Sequence, residues 1–313
     1  MRYFILSVLS VLFIGCSSKH PDPPLVHEIK CSKGIYSLKS AQCLDKDSFI
    51  SKLEPYDVIF IGDHHNSKKV HEFIADTIYG LSKRGYRIHL ANEWFTPKDD
   101  PLLDKYASKK IDDDTFVKKI EWNKKGKLSF DIFSPIYHAI IETDGKLYGI
   151  NLSKKERELI SEAKTDEMSK EELSFYKGLD LNVSAHKILY KGFFSHCHKA
   201  KKGESDKECI ERMYRVQVAW DSKMAKESLI LSKNVLKSSK DKLIVFAGAA
   251  HIAYGLGINM RFARESDLPF TTIVPLSDDD KSIEHAIADF VYIYEKSEEA
   301  KKIEEKLIKA LKK

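Results

Sequence analysis

A series of short apolar runs recurs along the chain, and most of them end in polar residues with useful chemistry. Val58-Ile59-Phe60-Ile61 leads into Gly62-Asp63-His64-His65, and Arg87-Ile88-His89-Leu90-Ala91 leads into Asn92-Glu93-Trp94. Lys146-Leu147-Tyr148-Gly149-Ile150 leads into Asn151, Lys242 to Ala247 leads into Gly248-Ala249-Ala250-His251, and Phe270 to Val274 is a fifth run. Between the first two, Val70, Phe73, Ile74, Thr77, Ile78 and Leu81 have helical spacing, and the pattern stops at Gly85. Strand, helix, strand is the unit of a parallel sheet. Ligands of open parallel sheets sit beyond the carboxyl ends of the strands. Asp63, His65, Glu93, Asn151 and His251 are therefore expected to converge on one crevice.

From Lys154 to about Lys240 the pattern changes to long, charged helical stretches with no convincing strand. Residues 155–215 read as a helical subdomain inserted before the strand at 243, and because it leaves after Asn151 it should overhang the carboxyl edge. The expected fold class is α/β: a mostly parallel β-sheet flanked by helices, formed by 29–154 and 216–313, with this smaller all-helical subdomain. The last twenty residues read as a lysine-rich amphipathic helix, a solvated surface element, with contact to a membrane surface as the alternative.

Composition sharpens this picture. Of 313 residues, 42% are hydrophobic and 32% charged, with 14 Gly and 9 Pro, which excludes disordered, collagen-like and multi-span membrane chains. The net charge of +5 is spread along the chain without an arginine-rich block, so nothing points to a nucleic-acid partner.

The N-terminus bears on compartment. Arg2 precedes an apolar run from Tyr3 to Gly15 that is too short to span a bilayer, for which roughly 20 residues are needed. Charge, apolar run and small residue in that order make 1–15 a secretory signal. Gly15-Cys16 resembles the lipobox of bacterial lipoproteins, with Cys16 the lipidated first residue; the alternative is a plain signal with a chance cysteine. Ser17 and Ser18, without Asp after Cys16, resemble the outer-membrane sorting pattern, and 16–28 reads as a polar tether. Cys31, Cys43, Cys197 and Cys209 then remain, an even number in an oxidising compartment. Pairing Cys31 with Cys43 and Cys197 with Cys209 is the most economical of three connectivities. Metal ligation at His196-Cys197-His198 is the competing reading.

One internal echo is chemically specific. Gly62-x-x-His65 and Gly248-x-x-His251 each follow a buried-type strand, with glycine permitting close backbone approach. With Glu93 they make a His/His/carboxylate constellation suited to metal or acid–base chemistry. The alternative is that each histidine caps the next helix or satisfies buried carbonyls.

These residues also carry a resemblance. Ile61-Gly62-Asp63-His64-His65-Asn66 with His71 is similar to the opening motif of the ChaN family of haem-binding uptake lipoproteins, which belongs with the TraB, Tiki and erythromycin-esterase-like proteins. Further matches are Asn92-Glu93-Trp94-Phe95, Gly149-Ile150-Asn151, Gln217-x-x-x-Asp221-x-x-Met224-Ala225 and Gly248-x-x-His251-x-x-Tyr254-Gly255-x-Gly257-Ile258. They run in family order from about 57 to 262. Asp63, Asn66 and Asn259 stand where the pattern has Glu, Asp and Pro. The first two alter acidic groups that metal-centred hydrolysis would use, and so favour binding.

The resemblance implies a large parallel sheet with a smaller helical domain, haem held as a cofacial pair at a dimer interface, tyrosine ligation of iron, and basic groups on the propionates. Tyr254 and Tyr137 are the iron-ligand candidates, with Tyr190 and Tyr214 behind them. His65, His71, His64, Lys69, Glu93, Asn151 and His251 are candidates for propionate contacts or the pocket. Phe133, Ile136, Phe193, Phe194, Lys68 and Lys191 supply further residue types that haem needs. The implied role is a non-enzymatic, outer-membrane-anchored haem carrier, facing the periplasm or the surface, with a haem receptor and a second copy of itself as partners. The alternative is a metal-dependent hydrolase of the Tiki or erythromycin-esterase type using His65, Glu93 and His251.

Overall fold

The computed structural model describes residues 26–28, 31–125, 128–193, 197, 200–279, 282–284, 286–296 and 301. The expected signal, Cys16, most of the tether, Phe194, His196, His198 and nearly all of the C-terminal lysine-rich stretch lie outside the described residues. The strands are β1 (Val26–Glu28), β2 (Gly34–Ser37), β3 (Gln42–Leu44), β4 (Val58–Asp63), β5 (Arg87–Asn92), β6 (Lys146–Gly149), β7 (Asp241–Gly248), β8 (Phe270–Ser277), β9 (Ser282–Glu284) and β10 (Phe290–Tyr294). β1 pairs with β9. The others form one eight-stranded sheet in the order β3-β2-β10-β8-β4-β7-β5-β6. It is parallel from β10 to β6; β2 pairs antiparallel with both β10 and β3, so in this sheet β2 runs against the other strands.

The central runs are apolar at every position because both sheet faces are covered. Along β4, Ile59 and Ile61 join one core with helices Lys46–Leu53, Lys68–Lys83 and Phe130–Glu142. Val58 and Phe60 join the opposite core with helices Asp206–Val235 and Ile258–Ala263. The helix after β4 starts where the Ser67 side chain accepts from the Val70 N–H. It ends at Gly85, whose φ of +83° turns the chain into β5.

Helices Lys154–Glu162, Lys170–Lys177 and Ser184–Phe193 pack on the first part of helix Asp206–Val235 through two small apolar clusters, one around Ile160 and Val216, the other around Tyr190 and Tyr214. The long helix runs unbroken through the expected boundary at 215/216. Ser205 and Glu208 form its capping box, and neither Gly nor Pro follows before its end. Cys31 pairs with Cys43 and Cys197 with Cys209, at Cα separations of 5.9 and 6.0 Å. Cys197 is thereby committed to sulfur and is not a metal thiolate.

Candidate functional site

The connections leaving the adjacent strands β4 and β7 run in opposite directions along the sheet, to β5 and to β8. The crevice opens at this switch point. The two glycines of the echo let the strand exits meet. A Cβ on Gly62 would sit 3.0 Å from the Ala249 Cα, and one on Gly248 would sit 3.2 Å from His65 Cε1. Each Gly-x-x-His glycine thus makes room for the segment bearing the other histidine.

Asp63, the last residue of β4, is buried and binds two imidazoles. Its Oδ2 lies 2.7 Å from His65 Nδ1, and its Oδ1 lies 2.7 Å from His71 Nε2. The other His71 nitrogen donates to the Ile132 carbonyl at 2.7 Å. His65 Nε2 then faces Glu93 Oε1 at 3.5 Å. Glu93 is placed by its own N–H, which donates to the Phe246 carbonyl and continues the β5–β7 pairing past Asn92. The Asn151 amide donates to the Glu93 carbonyl at 2.6 Å. On the other side, His251 Nε2 stands 3.9 Å from Glu93 Oε2, and His251 Nδ1 lies 2.5 Å from Asp221 Oδ1. The Gln217 amide approaches the same His251 nitrogen at 2.9 Å. Asp221 is fully buried, with His186 Nε2 at 3.2 Å and Arg261 at 3.7 Å from its second oxygen.

The array therefore reads carboxylate, imidazole, carboxylate, imidazole, carboxylate. Burial works against charge on His65, but the hydrogen bond to Asp63 and the charge of Glu93 outweigh it and hold the imidazole up at about 9. His251 is also pushed up: burial opposes it, and the charge and hydrogen bond of Asp221 prevail. Burial alone would raise Asp63 and Asp221, yet their histidine partners keep both below the usual carboxylate range. Among the described residues no group of three or more His, Cys, Asp or Glu side chains is arranged to hold a metal ion.

Two crevices open beside this array and share His65, Trp220 and His251. One, of about 550 Å³, has an apolar wall of Ala253, Val274, Pro275, Leu276 and Ile287, with Tyr254 and His64 on its lining. The other, of about 380 Å³, is lined by Glu93, Trp94, Asn151, Lys124, Lys125, Lys154 and Arg157. Tyr254 is half-buried, and its φ of +61° is a left-handed conformation that costs a non-glycine residue of order 1 kcal/mol or more. The surroundings enforce it. The Tyr254 N–H donates to the Ile287 carbonyl at 2.8 Å. The Asn259 amide donates to the Ile252 carbonyl, and Arg261 donates to the carbonyls of Leu256 and Gly257.

The structure thus gathers His65, Glu93, Asn151, His251, His64 and Tyr254 at the carboxyl edge. Other candidates lie elsewhere. Tyr137 is fully buried among Phe95, Trp122 and Phe130, and its hydroxyl accepts from the Asn92 amide at 3.0 Å. Burial pushes that phenol well above its ordinary value, so Tyr137 is withdrawn as an iron ligand. His71 has no exposed surface and orients Asp63, so it touches no ligand. Lys69 pairs with Glu295 and lines a separate groove beside Phe73 and Tyr292. Phe133 and Ile136 are core residues, and Tyr190 and Tyr214 are buried in the helical part. Sequence reasoning assigned no site role to Asp221, His186 or Arg261. Their signal was weak: Gln217 and Asp221 are buried polar residues one helical turn apart on an otherwise apolar face.

The fold matches the structure titled "Cofacial heme binding to ChaN of Campylobacter jejuni", with a TM-score of 0.64 and 19% identity over 84% of this chain and 97% of that one. Weaker matches are the type III effector HopBA1, with a TM-score of 0.45 and 16% identity over 80% of this chain and 94% of that one, and an erythromycin esterase mutant, EreC, in its open conformation, with a TM-score of 0.43 and 12% identity over 78% and 77%. No curated protein matches significantly. The profile described as "Haem-binding uptake, Tiki superfamily, ChaN" matches residues 49–262, a span holding both Gly-x-x-His motifs, Glu93, Asp221 and Tyr254, and the chain belongs to that family.

Proposed function

We propose that this chain is an outer-membrane-anchored lipoprotein of haem and iron uptake, binding haem through Tyr254 at a haem-linked homodimer interface. The observation that carries the reading is the crevice under Tyr254: an apolar wall, a phenol held in a strained conformation, and cationic imidazoles on the shared edge. Haem asks for an apolar slot, an axial oxygen donor and cations for its propionates, and these residues fit it. When bound, haem supplies an iron centre and a flat apolar face. Tyr254 would supply the axial phenolate, Val274, Pro275, Leu276 and Ile287 would exclude water, and His65 and His251 would offer positive charge to a propionate. A disc left open on one side favours a second copy of the chain. At roughly 25 cal/mol per Å², burying a few hundred Å² of apolar area contributes several kcal/mol to association.

In this reading Cys16 carries the lipid anchor, and an outer-membrane receptor delivers the haem. The family description supports haem as the cofactor. A haem titration followed by absorbance and sedimentation on one sample tests the core of the proposal. A Soret band with a rise in sedimentation coefficient is expected; an unchanged coefficient overturns the linked dimer, and no Soret shift overturns haem binding. Cys16→Ser protein should leave the membrane fraction, and its retention through the same lipid anchor would refute the anchoring.

A second reading, a metal-dependent hydrolase, is favoured by one observation: two carboxylate-oriented imidazoles face the oxygens of Glu93, an arrangement suited to proton transfer. A metal there would have to displace the protons that Asp63, Asp221 and Glu93 hold on the two rings. Metal-dependent peptide or ester cleavage by haem-free protein would establish this reading.

A further inference from the structure

The crevice on the far side of His65 and His251 differs in kind from the one under Tyr254. Lys124, Lys125, Lys154 and Arg157 stand around it, Trp94 and Trp220 flank it, and Glu93 is its one carboxylate. Three of these cations have partners. Lys124 lies 2.6 Å from Glu121, Lys125 lies 3.0 Å from Asp99, and Lys154 stands 3.8 Å from Glu158. The Arg157 guanidinium makes no hydrogen bond or ion pair among the described residues, its backbone N–H alone donating to Ser153. Lys154 and Arg157 also occupy the first turn of helix Lys154–Glu162, where the positive end of the helix disfavours cations. With three of the four cations already paired, the Arg157 guanidinium is the charge that a bound anion would relieve, and the paired lysines lie beside it to take a second anionic group. The apolar crevice has neither lysine nor arginine on its lining, so the two spaces suit different molecules.

We propose that the crevice at Arg157 is a second binding site, for a small multivalent oxyanion distinct from haem. The Arg157 guanidinium supplies a planar fork for one carboxylate or phosphate group, and Lys154 and Lys124 lie on the rim for a second. Because His65, Trp220 and His251 form the common wall, occupancy here bears on the crevice under Tyr254. This goes beyond the haem reading and does not require it.

The test is calorimetric titration of haem-free full-length protein with citrate and, separately, inorganic pyrophosphate at low salt, with acetate as the monovalent control. Saturable binding of citrate or pyrophosphate, at least about tenfold tighter than acetate and weakened about tenfold by Arg157→Glu or by added salt, is expected. Citrate alone identifies a polycarboxylate site, and pyrophosphate alone a phosphate site. Tyr254→Phe should leave this binding unchanged. No saturable binding, equal affinity for acetate, indifference to Arg157→Glu, or loss in Tyr254→Phe would each overturn the proposal. The haem titration is read independently by absorbance. Arg157 is exposed, so its replacement should leave the fold intact, which the circular dichroism of the variant checks.

Discussion

Asp221 Oδ1 lies 2.5 Å from His251 Nδ1, repeating on the opposite side of Glu93 the contact that Asp63 makes with His65. The two pairs come from unrelated elements. Asp63 ends a strand, whereas Asp221 sits in the middle of a thirty-residue helix. In each case the carboxylate is buried and the imidazole reaches the crevice, so the carboxylate orients a ring on the crevice lining.

Asp221 should accordingly be costly to replace. Asp221→Asn keeps the shape but removes the charge that His251, His186 and Arg261 share. Breaking one partner out of a buried charged cluster costs roughly 3 kcal/mol or more. Denaturant unfolding should show a loss of that size, and a loss under about 1 kcal/mol would mean that Asp221 is not holding this cluster.

Tyr137 and Tyr254 separate cleanly by experiment. Tyr137→Phe removes a hydroxyl that accepts one buried hydrogen bond from Asn92, so stability should fall by about 1 kcal/mol while the visible spectrum with haem stays unchanged. Tyr254→Phe should remove the tyrosinate charge-transfer band. Loss of the band in Tyr137→Phe would reverse the assignment.

The runs ending at Asp63, Asn92, Gly149 and Gly248 were readable because strands covered on both faces are apolar throughout and because their exits carry polar residues. β2 and β3 were not, since strands of four and three residues at a sheet edge have too few positions to show a period. β10, Phe290–Tyr294, is a five-residue apolar run, too short for its period to separate strand from helix. The crevice itself was legible through the rule for parallel sheets. What was not legible was depth. His71 and Tyr137 have the residue types of a haem site, but only the packing of Phe133 and Trp122 around them reveals that they lie beneath its floor. The role of Asp221 was hidden for a different reason: its place in the Gln217-x-x-x-Asp221 match marks the position, but a carboxylate in a charged helix gives little local sign that it points inward.

The disulfides should act on stability with little effect on ligand. Each bridges a separation of 12 residues, worth on the order of 3 kcal/mol in the chain-entropy model. Cys31 and Cys43 lie at the β2–β3 edge, and neither lines the crevice under Tyr254. Cys31→Ser/Cys43→Ser protein should therefore melt earlier yet give the same haem spectrum as the parent. Peptide mass mapping of oxidised protein should find the two pairs, and free thiols at these positions would contradict them.

Asp241 supplies a prediction about acid. Its side chain is fully buried at the start of β7, where one oxygen accepts from Arg87 and the other from the N–H groups of Lys237 and Ser238 and the Ser238 hydroxyl. It thereby ties the end of the long helix to the sheet. Burial would raise this carboxyl, but Arg87 and the backbone donors overcome it and hold it down at about 2, against an ordinary value of 3.8. A carboxyl depressed in the folded state stabilises the fold wherever it is ionised, so its contribution is complete above about pH 4 and disappears as the pH falls toward 2. The shift corresponds to about 2 kcal/mol. Asp241→Asn should thus be less stable than the parent by about that amount at pH 7, and the two unfolding curves should converge as the pH is lowered through 3. A stability gap that stayed constant from pH 7 to pH 3 would assign the loss to packing at the β7 entry instead of to the charge on Asp241.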